Sequence, residues 1–145
     1  MKPGTIFFDT QFQFFDSHEI GKKLSILVLE SGGVCHSLVT TTKSKVKNRV
    51  PGCQNGDTPP NFYIPLLNPP LTWFEEETWV LMNHLYEYRP EILARKQADK
   101  VLYITESVLT PTTVIQVLTC AYSSPDMLGF DKEIIQQGLD SIPKV

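Results

Sequence analysis

Four cations stand at every second position from residue 43 to residue 49 (Lys43, Lys45, Lys47, Arg49), and they follow directly on the threonines Thr40, Thr41 and Thr42. If the stretch is extended, alternate side chains share a face and recur about every 6.6 Å, close to the phosphate spacing of a single nucleic-acid strand. Single-strand binding needs such a track plus stacking platforms. Phe12, Phe14, Phe15, Phe62, Tyr63 and Trp73 lie in the same half of the chain. The plainer reading is an edge strand whose lysines discourage aggregation, with the aromatics in the core. A second group lies in "DSHEIGKKL", Asp16 to Leu24. There His18 or Glu19 can act as a general base, and Lys22 or Lys23 can stabilise phosphate charge. Together they are the parts needed to cleave RNA through its own 2′-hydroxyl. Taken alone, this is also an ordinary polar loop. The threonines form a third group. Alternation points Thr40 and Thr42 one way and Thr41 the other, so a hydroxyl can reach a phosphate. Threonine is equally a good strand former.

These groups need a scaffold, and the apolar pattern predicts mostly strands. Thr5 to Phe8 and Phe12 to Phe15 are β-branched and aromatic. Leu24 to Leu29 reads as a buried strand that ends at the turn Glu30-Ser31-Gly32-Gly33. Val34 to Thr42 returns antiparallel to it. Asn61 to Leu66 and Thr78 to Leu81 add two more strands between proline-rich loops. Short strands with prolines at their boundaries suit a strongly bent sheet or a partly open barrel better than a βαβ fold. Helices come late: Leu85 to Lys96, interrupted at Pro90; Thr110 to Tyr122, with Thr110 as cap and Pro111 in the first turn; and Asp131 to Gln137, stopped by Gly138.

The 145 residues are read as a single domain, 1-145, with 124-145 as a C-terminal extension. A net charge of −3 argues against a protein that coats nucleic acid through global positive charge, so any such contact is local. Glu75, Glu76 and Glu77 form a cluster opposite in sign to the cation row. Cys35, Cys53 and Cys120 are odd in number, widely spaced and free of CxxC pairing, and read as reduced thiols of a cytoplasmic protein. No run is long and apolar enough to anchor in a membrane. No residue pattern calls for a metal or another cofactor.

The order of these segments resembles the MazF/PemK-type toxin family of mRNA interferases. "PGTIFFD" matches the family's opening strand and "SHEIGKK" its polar loop. "LSILVLES" matches the apolar strand and "VTTTKS" the strand that ends in hydroxyls. "TWVLMNHLYEYRPEIL" and "VLYITESVLTPTTVIQVLTCAYS" match the later strand, short segment and closing helix. The resemblance covers nearly residues 3 to 123. It implies a mainly β, α+β chain built as an SH3-like small barrel with C-terminal helices. It also implies a homodimer, a cognate antitoxin protein, and cleavage of single-stranded RNA that leaves a cyclic phosphate and a 5′-hydroxyl. Position by position, the family's catalytic arginine falls on Lys23 and its acidic loop residue on His18, with Glu19 beside it. Its catalytic threonine falls on Thr42, with Ser44 as the companion hydroxyl. Lys22, Lys43, Lys45, Lys47 and Arg49 then become the RNA contacts.

This chain departs from the family pattern in four places. Lys23 keeps the charge of arginine but not its planar fork, and Leu24 stands where a proline is usual. The insert from Val50 to Pro60 and the tail from Ser124 to Val145 both exceed the compact family pattern. Two further readings stay open: a catalytically silent barrel of the same fold that binds nucleic acid or protein, and a protein-interaction module that uses the Phe/Trp-rich surface.

Overall fold

The computed structural model describes residues 1–13, 20–42, 49–65, 74 and 76–143, with the backbone alone at 106 and 107. Among the described residues eight strands and three helices follow one another. They are β1 (Thr5–Gln13), β2 (Ile20–Ser31), β3 (Val34–Thr41), β4 (Gly52–Gln54), β5 (Asn61–Ile64), β6 (Thr78–Leu81), β7 (Tyr86–Tyr88), α1 (Pro90–Ala98), β8 (Leu102–Val108), α2 (Pro111–Ser123) and α3 (Gly129–Asp140). Every strand pairing is antiparallel. The strand order is β4-β5-β6-β3-β2-β1-β8, and β7 pairs with the first half of β3, beside the stretch that pairs with β6. Among the described residues β4 and β8 do not meet, so the sheet is open and mainly β rather than a closed barrel.

The run LSILVL is apolar at nearly every position because the sheet is covered on both faces. Ile26 and Val28 join Ile6, Leu38 and Val80 in a core roofed by Val114, Val117, Leu118 and Ala121 of α2 and Ile135 of α3. Leu27 points the other way, into a core of Phe7, Phe12, Val39, Tyr88 and Leu102 that Ile92 and Leu93 of α1 pack against. Register shifts interrupt β1 between Asp9 and Phe12 and the β2–β3 pairing between Leu27 and Leu29, and such bulges bend a sheet. Gly32 and Gly33 make the β2–β3 turn at φ +58° and +80°, values suited to a two-residue hairpin of the I′ kind.

Several expectations are corrected. The segment from Leu85 is not helical before Pro90: Tyr86 to Tyr88 pair with Cys35 to Ser37 as β7, and the helix starts at the proline. The Val50 to Pro60 insertion contains β4, which pairs with β5. Gly138 does not end the last helix; it lies inside α3, where a Cβ would stand 2.5 Å from the carbonyl oxygen of Val28. The absence of a side chain is what lets α3 lie against β2. Two cysteines are not reduced thiols: Cys53 on β4 and Cys120 on α2 form a disulfide with a Cα–Cα distance of 5.5 Å, and Cys35 alone is free and buried. Their separation of 67 residues hid the pairing, because only the packing of α2 on the β4–β5 hairpin brings them together. Among the described residues no helix is long and apolar enough to cross a membrane.

Candidate functional site

The start of β2 and the end of β3 lie at the same end of one antiparallel hairpin, because the register Ser25↔Val39 and Ile26↔Leu38 runs back towards them. The Thr40 hydroxyl donates to the Leu24 carbonyl at 2.8 Å and is nearly buried, so this hydroxyl is a strap across the hairpin. The β2–β3 pairing ends at Ser25↔Val39, with Lys22 and Lys23 before it on β2 and Thr41 and Thr42 after it, where β3 pairs with β6 instead. Lys22 and Thr42 are both exposed, while Lys23 and Thr41 are half-buried. His18, Glu19, Lys43, Ser44, Lys45 and Lys47 lie outside the described residues.

On the Lys23 face, the cross-strand neighbour of Lys23 is Asp9, which is completely buried. The Asp9 carboxylate accepts from the Tyr88 hydroxyl at 2.7 Å, from Lys96 Nζ at 2.7 Å and from the Gln11 backbone N–H at 2.9 Å. Lys96 also donates to the Gln11 carbonyl at 2.9 Å. Burial, and then the Asp9 carboxylate, push the Tyr88 hydroxyl far above the usual phenol range, so it remains a donor. This network ties α1 to β1 across the second core. No spacing in the sequence marks it, since Asp9, Tyr88 and Lys96 come from three separate elements.

Among the described residues the cation row and the acidic cluster meet at Arg49 and Glu77. Arg49 donates from Nε and Nη2 to Glu77 at 3.1 to 3.2 Å, and its guanidinium lies 5.6 Å from the Trp79 ring centroid. The Tyr63 hydroxyl donates to the same carboxylate at 2.8 Å. The hydrogen bonds from Arg49 and then Tyr63 hold Glu77 below the usual carboxylate range. Arg49 is thus committed to a carboxylate in this structure.

Concave surfaces also lie elsewhere among the described residues. An apolar hollow of about 650 Å³ runs between the β4–β5 hairpin and α2, beside the disulfide. A more polar cavity of about 590 Å³ gathers His36, His84, Tyr86 and Asp131. Sequence reasoning missed this second group because both histidines stand alone in the sequence. Among the described residues no set of three or more histidine, cysteine or acidic side chains could hold a metal ion. No protein-family model matches the chain, and no curated protein or solved structure is significantly similar to it.

Proposed function

We propose that the chain is a toxin-type endoribonuclease that cleaves single-stranded RNA by 2′-hydroxyl attack, with the scissile phosphate taken at the open end of the β2–β3 hairpin. The observation that supports this reading is that Lys22 and Lys23, near the start of β2, and Thr41 and Thr42, at the finish of β3, lie at the same end of one antiparallel hairpin. In the proposed site lysine stabilises phosphate charge, Thr42 and Ser44 orient the phosphate, and His18 or Glu19 takes the 2′ proton. Lys43, Lys45 and Lys47 hold the RNA that leads away, with a smaller share for Arg49 because Glu77 already engages it. In this reading Lys23 takes the place of the family's catalytic arginine, and Lys22 beside it is an RNA contact. The same reading includes an SH3-like curvature of the sheet, a homodimer, a cognate antitoxin protein and a cytoplasmic RNA target.

The experiment is induced expression in bacteria. Growth arrest that Thr42→Ala relieves at equal protein level supports the nuclease; unimpaired growth with the unaltered chain counts against it. A second reading, a catalytically silent RNA binder of the same fold, is favoured by the lysine at 23 and the leucine at 24. It predicts a mobility shift with intact RNA.

A further inference from the structure

The hairpin-end reading makes no use of the Cys53–Cys120 disulfide, and the two cysteines stand in very different surroundings. Cys53 is exposed, on β4 at one end of the strand order. Cys120 lies in the C-terminal half of α2 and is only 3% exposed. The apolar hollow of about 650 Å³ opens beside the pair, with Phe62, Ile115 and Thr119 on its walls and no charged side chain among its described lining residues. Its volume is in the range of small-molecule sites. Disulfides that only brace a fold resist reduction, whereas exposed ones are the labile and regulatory kind.

Access decides which sulfur reacts. Exchange begins when a thiolate attacks one sulfur of the bridge, and the exposed Cys53 is the one within reach. Attack there forms a new S–S bond to Cys53 Sγ and breaks the bond to Cys120. The electron pair goes to Cys120 Sγ, which then takes a proton from solvent. Acceptors for that proton are already in place: Asn55 Oδ1 lies 3.6 Å from Cys120 Sγ and the Asn61 carbonyl oxygen 3.9 Å. Asn55 is held there independently of the sulfurs, because its Nδ2 donates to the Cys120 carbonyl at 3.1 Å. A protonated, nearly buried thiol is a weak nucleophile, so Cys120 re-attacks the adduct slowly.

We propose that Cys53 is a modification site at which a low-molecular-weight thiol exchanges into the bridge, giving a mixed disulfide on Cys53 and a free thiol at Cys120. Cys35 is buried outside the pair and takes no part. In the test, the full chain is incubated with reduced glutathione, quenched with N-ethylmaleimide and mapped as peptides without reduction. The untreated chain is expected to show Cys53 linked to Cys120, and the treated chain glutathione on Cys53 with maleimide on Cys120. Two variants check the same asymmetry. Cys120→Ser leaves the Cys53 thiol, which should react with an aromatic disulfide reagent at least ~10-fold faster than the Cys120 thiol left by Cys53→Ser. Thermal melts confirm that both variants are folded, and if either is not, the map of the unaltered chain decides. Glutathione mainly on Cys120, equal adducts on both cysteines, no adduct, no Cys53–Cys120 linkage in the untreated chain, or equal rates in the two folded variants would overturn the assignment.

Discussion

Asp9 shows how a single residue can matter without any visible motif. Its carboxylate has no exposure and accepts from Lys96, the Tyr88 hydroxyl and the Gln11 backbone N–H. Lys96→Met removes the cation and leaves a buried charge, so it should cost about 3 kcal/mol or more in urea unfolding. Tyr88→Phe, which removes only the hydroxyl, should cost about 1–3 kcal/mol. Cys35 makes a pH prediction. Burial, and then the neighbouring Glu30, push its thiol up to about 11. The raised value favours the protonated folded form, so this contribution is complete below the ordinary thiol range and is lost as pH rises towards 11. Folded protein at pH 8 should therefore react slowly with a thiol reagent, and denatured protein should release one fast-reacting thiol. Rapid labelling of the folded chain would show that Cys35 is not buried. Arg49 and Glu77 were legible as opposite charge clusters, but their pairing depends on β5 and β6 and was not.

Elements whose signals are local could be read directly. The Gly32-Gly33 turn, the alternation that divides Leu27 from Ile26 and Val28, and the cap and proline of α2 all act within a few residues. Thr110 Oγ1 accepts from the Thr113 N–H at 3.4 Å. Thr110→Ala should accordingly destabilise by about 1 kcal/mol at most, and a larger loss in thermal unfolding would mean that Thr110 has a further role. β4 and β7 were invisible because each is three residues long and exists only through its partner strand. Gly138 was misread for a related reason: glycine commonly ends a helix, but here it makes room for the Val28 carbonyl of β2. Gly138→Ala should lower stability by about 1–3 kcal/mol through overpacking, although alanine is the better helix former. A gain in stability would mean that α3 does not lie against β2 as described.

At the scale of the whole molecule, the disulfide closes a 67-residue separation and fastens the β4–β5 hairpin to α2. In the chain-entropy account a loop of that size contributes about 4 kcal/mol, so a reductant should lower the melting temperature markedly. Cys53→Ser should lower it equally and make it insensitive to reductant. That the chain is mainly β with helices towards its C-terminus was legible because alternation and turn chemistry are local. The site was legible only in its residue types. That the lysines at the start of β2 share one end of a hairpin with the threonines that close β3 emerges only once the two strands are paired. The most direct measurement is incubation of the purified chain with a long single-stranded RNA, followed by analysis of the fragment ends. The expected result is discrete fragments carrying cyclic phosphates and 5′-hydroxyls, abolished by Thr42→Ala while RNA binding persists, and binding weakened with a shallower salt dependence by Lys22→Ala. Intact RNA with the unaltered chain, or equal cleavage by Thr42→Ala, would contradict a phosphate site at the end of this hairpin.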